Sequence, residues 1–221
     1  MFPMNRQLRQ APSGDPAAER YAGRMTGILL AAGKGSRFDP AGLQNKLLQV
    51  LPGGACVAAA AAANLAAALP AVLAVVRPGA DALAARLREA GCEVTVCPDA
   101  EQGMGASLVH ALQCTRGANG WVVALADMPY VRPDTVAALA AAIAGGAGLA
   151  QPGHGGKRGN PVAFGRQHLS ALLRLGGDQG ARALLKAVPV AEVEVGDPGI
   201  LRDIDTPADL AAPAPAGNRG A

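Results

Sequence analysis

Residues 30 to 37 read Leu-Ala-Ala-Gly-Lys-Gly-Ser-Arg, small side chains and glycines interleaved with cations, and a further lysine follows at Lys46. A backbone of this kind can turn several N–H groups toward one point, which suits it to holding phosphate. Counting separates the kinds of phosphate loop. A Walker A loop needs Gly-x-x-x-x-Gly-Lys-Ser/Thr, but Ile28 stands where the first glycine belongs and Gly35 where the hydroxyl belongs. The dinucleotide fingerprint Gly-x-Gly-x-x-Gly starts at Gly33 and ends on Phe38, with no acidic residue well placed after a second strand. What remains is a glycine-rich turn whose amides wrap a nucleoside triphosphate, with Arg37 and Lys46 supplying charge. On the loop alone, a turn that merely packs a helix on a sheet stays open.

Such a loop must be positioned by the elements around it. β-rich runs at 26–31, 71–76, 92–97, 120–126, 161–165 and 190–195, with a weaker one at 148–151, alternate with helical stretches near 55–69, 80–90, 104–115, 133–144, 166–174 and 179–187. That alternation predicts an α/β fold with a mostly parallel sheet covered by helices. In such sheets the ligand crevice lies beyond the carboxyl ends of the strands, so the residues just after each strand are the ones to read for chemistry.

Composition narrows the function classes. The chain has 221 residues, half of them apolar, enough for one well-buried core. Lys and Arg exceed Asp and Glu by only 20 to 17 and aromatic residues make up 3%, which argues against a nucleic-acid partner. Cys56, Cys92, Cys97 and Cys114 match no zinc spacing, and reduced thiols in a cytoplasmic protein are the expected state. The run at 57–76 is broken by Asn64 and Pro70 and reads as a helix and a buried strand, so no membrane span is expected. Residues 1–24, rich in Pro, Gly and scattered charge, read as a disordered extension, with Met25 a possible start, and 212–221 as a linker-like tail.

Motifs at the other strand ends extend the first one. "LAAGKGSR" followed by "NKLL" resembles the L-A-A-G-x-x-x-R…K-L-L signature of the MobA-like nucleotidyltransferases, especially the branch containing molybdenum cofactor cytidylyltransferase. "EQGMGASL" at 101–108, "LADMPYVRPDTV" from 125, "GKRGNPVAFG" at 156–165, "GDQGARALL" at 177–185 and "LRDIDTPADL" at 201–210 resemble further segments of that family, in the same order. Together they cover roughly residues 27 to 211.

The resemblance implies a single-domain, Rossmann-like three-layer sandwich of the nucleotide-diphospho-sugar transferase type over residues 25–211. It implies transfer of CMP from CTP to the phosphate of a molybdopterin-type cofactor, with release of pyrophosphate and passage of the product to a molybdenum hydroxylase. Mg²⁺ would be held by Asp127 and Asp203. Asp205 ranks below Asp203 on the expectation that an extended segment turns only one of the two fully inward. Leu30, Ala31, Ala32, Gly33, Lys34, Gly35, Arg37 and Lys46 would bind the nucleotide, with Arg37, Lys46 and Asp127 as the catalytic set. Gln102, Gly103, Ser107, Asn160 and Pro161 would meet the acceptor. The attacking phosphate is already anionic, so alignment and charge neutralisation are the catalytic work. Plainer roles stand beside these: turn capping for Asp127, a helix start for Asp205 with Thr206 as N-cap, a helix-surface place for Ser107, and packing for His110 and His168, while His154 lies near the acceptor segment.

The match departs from the family at Arg37-Phe38-Asp39, where many relatives have Arg-Met-Gly, and at Asn160, where cytidylyltransferase relatives commonly carry histidine. Ala32 resembles the cytidine-using branch, whereas the guanosine-using branch usually has glycine there, so GTP is the alternative nucleotide. A different phosphorylated acceptor is another alternative, and a non-catalytic assembly factor that carries the cofactor is the rival of another class.

Overall fold

The computed structural model describes residues 16–41, 43–175 and 181–215. A sheet in the order β3-β2-β1-β4-β7-β5-β6 runs through the molecule, with β8 paired to β5. Its strands are β1 (Met25–Leu30), β2 (Val72–Val76), β3 (Glu93–Val96), β4 (Gly120–Leu125), β5 (Leu149–His154), β6 (Lys157–Arg158), β7 (Val162–Gly165) and β8 (Ala191–Glu194). β1 is parallel to both β2 and β4, β2 to β3, and β5 to β8, while β7 runs antiparallel to its neighbours β4 and β5. The expected α/β fold with a mostly parallel sheet is therefore the observed one.

β1 lies between two strands and is covered on both faces, which is why its sequence is a nearly unbroken apolar run rather than an alternating one. Its register sets Leu30 opposite Val75 on one side and Leu125 on the other. The chains leaving β1, β2 and β4 thus emerge level at one edge of the sheet, where the loops that carry chemistry gather.

Helices cover both faces. α2 (Val57–Ala68), α3 (Asp81–Glu89) and α5 (Pro133–Ala144) pack on one side with Leu29, Ala74 and Val122. α4 (Met104–Cys114) and α6 (Leu169–Leu172) pack on the other with Ile28, Leu73 and Trp121. Alanine favours helix in α2 but blurs its amphipathic period. The buried positions Val57, Ala58, Ala61, Ala62 and Leu65 still recur at three- and four-residue spacing and form its sheet-facing stripe. Leu65 seats against β1 where Gly27 has no side chain: a Cβ there would lie 2.9 Å from the leucine. Pro70 then ends the helix by forcing Leu69 into extended backbone. No helix among the described residues is long and apolar enough to cross a membrane.

Several elements differ from expectation. α1 (Pro16–Tyr21) belongs to the folded unit, although residues 1–24 read as disordered from composition. Tyr21 is buried and donates a hydrogen bond to Glu93 on the edge strand, 2.8 Å away, and Asn119 N–H bonds Arg24 C=O. One aromatic ring with a strand edge to rest on outweighs a polar composition. β5 runs on through Pro152 to His154, beyond the expected 148–151, because Gly159 donates to Pro152 C=O and β8 covers the other edge. The expected helix at 166–174 is a 3-10 turn followed by α6, and α7 (Arg182–Ala187) begins after residues 176–180, which lie outside the described residues with the start of the "GDQGARALL" segment. α8 (Pro207–Ala211) precedes the expected tail, of which 216–221 also lie outside them.

Leu65 is 1% exposed at the centre of this packing. Replacing it with alanine is expected to cost about 2–5 kcal/mol, read as a lowered urea midpoint with an unchanged slope.

Candidate active site

A cavity of about 550 Å³ opens beyond the ends of β1 and β4. Leu30 and Leu125, the last residues of those strands, form part of its lining. One wall is the loop after β1. Ala31 N–H still bonds Val75 C=O, so the chain leaves the sheet held in place, with the Ala31 side chain in the core and Ala32 lining the cavity. Gly35 takes φ +67°, a left-handed conformation open to glycine, and its C=O accepts from Phe38 N–H. Buried Phe38 anchors the far end of the turn. Lys34 pairs with Glu101 across the cavity mouth.

The second wall carries charge. Asn45 caps a 3-10 turn at Lys46–Leu48, its side chain accepting from Leu47 N–H, and buried Leu47 locks the turn so that Lys46 faces the cavity. Asp39 reaches that turn through the "DPAGLQ" stretch by accepting from Ala41 N–H and Gln44 N–H. Lys46 Nζ donates to Asp127 Oδ2 at 2.6 Å and to Asp205 Oδ1 at 2.9 Å. Arg37 pairs with the other oxygen of Asp205 at 2.5 Å. Burial alone would lower the Lys46 pKa, but its hydrogen bonds and charge contacts with Asp127 and Asp205 hold it above the ordinary value.

Asp127 lies two residues beyond the end of β4, and its C=O accepts from Ile204 N–H at 2.8 Å, which ties the "DIDTP" segment to this strand end. Thr206 is the N-cap of α8 in a reciprocal capping box with Asp209. The helix start thus falls to Thr206, and the Asp205 carboxylate is left for the cavity.

The ranking of Asp203 above Asp205 is corrected by this geometry. Residues two apart in an extended segment share a face, and here it is Ile204 between them that turns into the core, fully buried. Of the pair, Asp205 lines the cavity and meets Lys46 and Arg37, while Asp203 is exposed at its edge. Partial desolvation of its exposed side chain, then the nearby charges of Asp205 and Asp127, push the Asp203 pKa up.

The donor set fits a hard divalent cation in part. Asp127 Oδ1 is buried with no hydrogen-bond partner, an oxygen free to bind a metal. Among the described residues no group of three or more His, Cys, Asp or Glu closes around one point. This suits an ion that takes one or two carboxylates and fills its remaining positions with water and substrate phosphates, as Mg²⁺ does.

Gly103 and Ser107, at the start of α4, line the cavity. Gln102 instead turns its amide to Asp99, and Asn160 and Pro161 line a separate small recess with Asn64 and Val131. The Asn160 N–H is bonded to Ile200 C=O, which holds that segment beneath the loop rather than in the cavity. The histidines have structural surroundings: His110 Nε2 lies 2.8 Å from Thr95 Oγ1, His154 Nδ1 lies 2.8 Å from Val195 C=O, and His168 sits against Gly148. Glu101, Met104 and Ala100 line the cavity although sequence reasoning did not select them. The place of Glu101 and Met104 beside Gln102 and Gly103 in one motif was the available signal.

The chain matches the model of the MobA-like NTP transferase domain over residues 27–193. It is 33% identical over 202 residues to the purine catabolism protein PucB of Bacillus subtilis (strain 168), covering 83% of this chain and 92% of that one. Its fold is similar to that of Rv0371c from Mycobacterium tuberculosis H37Rv, with a TM-score of 0.74 and 28% identity over 86% of this chain and 99% of the other. A complex of Rv0371c with manganese is likewise similar, with a TM-score of 0.69 and 27% identity over 85% and 96%.

In metal-free buffer, the Asp203 carboxyl followed by ¹³C NMR is expected to titrate above the ordinary carboxylate range. Asp205→Asn should lower its midpoint only partly, since burial remains. A raised carboxyl pKa contributes stability that is present below the unfolded value and lost as pH rises through the folded one, so Asp203→Asn is expected to raise the urea midpoint at neutral pH but not in acid.

Proposed function

The chain belongs to the MobA-like NTP transferase family and is a nucleotidyltransferase, and from that premise we propose that it transfers CMP from CTP to the phosphate of a molybdopterin-type cofactor. The observation that carries this reading is the placement of Lys46 between Asp127 and Asp205, its stem against Gly35 of the glycine-rich loop in one cavity. A triphosphate site and a carboxylate pair facing each other suit phosphoryl chemistry and have no use in a simple carrier.

In the proposed reaction an oxygen of the acceptor phosphate forms a bond to the α-phosphorus of CTP, the α–β phosphoanhydride bond breaks, and pyrophosphate leaves with the electron pair. The acceptor oxygen is anionic at neutral pH, so no protein base is required. The amides of residues 33–36 hold the β- and γ-phosphates, while Lys46 and Arg37 offset the charge that builds on the leaving group. Asp127 and Asp205 would hold Mg²⁺, whose charge would neutralise phosphate oxygens. A manganese complex of a relative supports divalent-metal use.

The choice of cytosine rests on Ala32, a residue of the cavity lining, whose methyl group would leave less room for a base there than glycine. The choice of acceptor rests on the family segments from 101 to 210. We place the reaction in the cytoplasm, where the four free thiols would stay reduced.

Purified protein with Mg²⁺, molybdopterin-type cofactor and CTP is expected to release pyrophosphate, faster than with GTP, ATP or UTP. Tight cofactor binding with no turnover on any nucleotide would instead identify a carrier. Asp127→Ala should lower turnover at least about 100-fold, and unchanged turnover would remove Asp127 from the reaction. Ala32→Gly is expected to reduce the preference for CTP over GTP by about tenfold or more, the scale of one methyl group in a pocket.

A further inference from the structure

Asp197 is a carboxylate buried to 1% exposure, outside the cavity and among none of the residues chosen from sequence. A charge so placed is costly unless every oxygen is partnered. Asp197 Oδ2 accepts from Arg132 N–H at 2.8 Å and from Thr135 Oγ1 at 2.7 Å, and Oδ1 accepts from Gly199 N–H at 2.9 Å. The Arg132 guanidinium lies 3.8 Å from Oδ1 and donates to Gly196 C=O at 2.6 Å. One side chain thus joins the first turn of α5, at the end of the loop after β4, to the start of the strap that runs from 197 to 205.

That strap lies along the loop with no slack. A Cβ on Gly199 would collide with Tyr130 C=O, Ile200 C=O accepts from Asn160 N–H, and the Arg202 guanidinium sits 5.6 Å over the Tyr130 ring. Ile204 N–H then meets Asp127 C=O, which delivers Asp205 to Lys46. We infer that Asp197 is a positioning residue for the metal-binding carboxylates: by pinning the strap to the start of α5 it sets the register that brings Asp205 beside Asp127.

This inference rests on the metal role proposed for Asp127 and Asp205. It is tested with Asp197→Asn and, as a milder variant should that one fold poorly, Thr135→Val. Amide hydrogen exchange and Mn²⁺ affinity, the latter by electron paramagnetic resonance, are measured on the full chain. The Ile204 amide is expected to exchange faster in the variant while Val122 and Val123 in β4 keep their protection, and Mn²⁺ affinity is expected to fall about 10–100-fold, the usual effect of losing an outer-shell partner. Unchanged Ile204 exchange and Mn²⁺ affinity in a folded variant would overturn the inference, as would a uniform loss of protection across β4 and Ile204 alike. A wild-type chain that binds no Mn²⁺ would overturn the metal reading itself, a result separate from the behaviour of Ile204.

Discussion

Two carboxylates and an ammonium group, Asp127, Asp205 and Lys46, come from three distant parts of the chain, and the site depends on their meeting. Two negative charges held close together repel, and the cost grows where solvent is scarce. Lys46 relieves that repulsion, with 11% of its side chain exposed and its charge favoured by both partners against its own burial. The same three groups can serve a nucleotide because each is borne on a segment fixed elsewhere: Lys46 on a capped 3-10 turn, Asp127 at the end of a central strand, and Asp205 between a buried isoleucine and a capped helix.

The sheet makes this convergence possible. Parallel registers through β1, β2 and β4 bring their ends level, so the loops that follow β1 and β4 face one another across a single cavity. Close approaches need residues without side chains at a few places. Gly35 rests against the Lys46 stem, 3.4 Å from where its Cβ would be, and Gly199 lies against the backbone of Tyr130. The phosphate loop and the lysine are therefore packed as one unit, although eight residues lie between Arg37 and Lys46.

Much of this organisation was legible in the sequence because its signals are local. A parallel strand buried on both faces needs an apolar run, a helix start needs a cap, and a glycine-rich turn needs glycine, so the element order and the loop at 30–37 could be read directly. α5 begins at Pro133 and ends at Ala144, the limits expected from its proline and its following glycines. Elements held by distant partners were not legible. α1 is stabilised by Tyr21 against β3, and β5 is extended by pairing with β8, contacts that leave no mark in their own stretches. Asp203 and Asp205, two apart in an extended segment, share one face, and buried Ile204 between them takes the other.

The sequence by itself determined the fold class, the family and the residue types the site would use, since these follow from short-range propensity, periodicity and motif order. Which carboxylate faces the lysine, which acceptor residues leave the cavity, and the place of Asp197 were decided by tertiary structure alone. The place of Asp197 and the choice of carboxylate depend on distant pairings, Asp197 with Arg132 at a separation of 65 and Lys46 with Asp205 at 159. No local pattern encodes such a distance, because the free energy that selects the pairing arises only when the sheet has brought the segments together and removed their water.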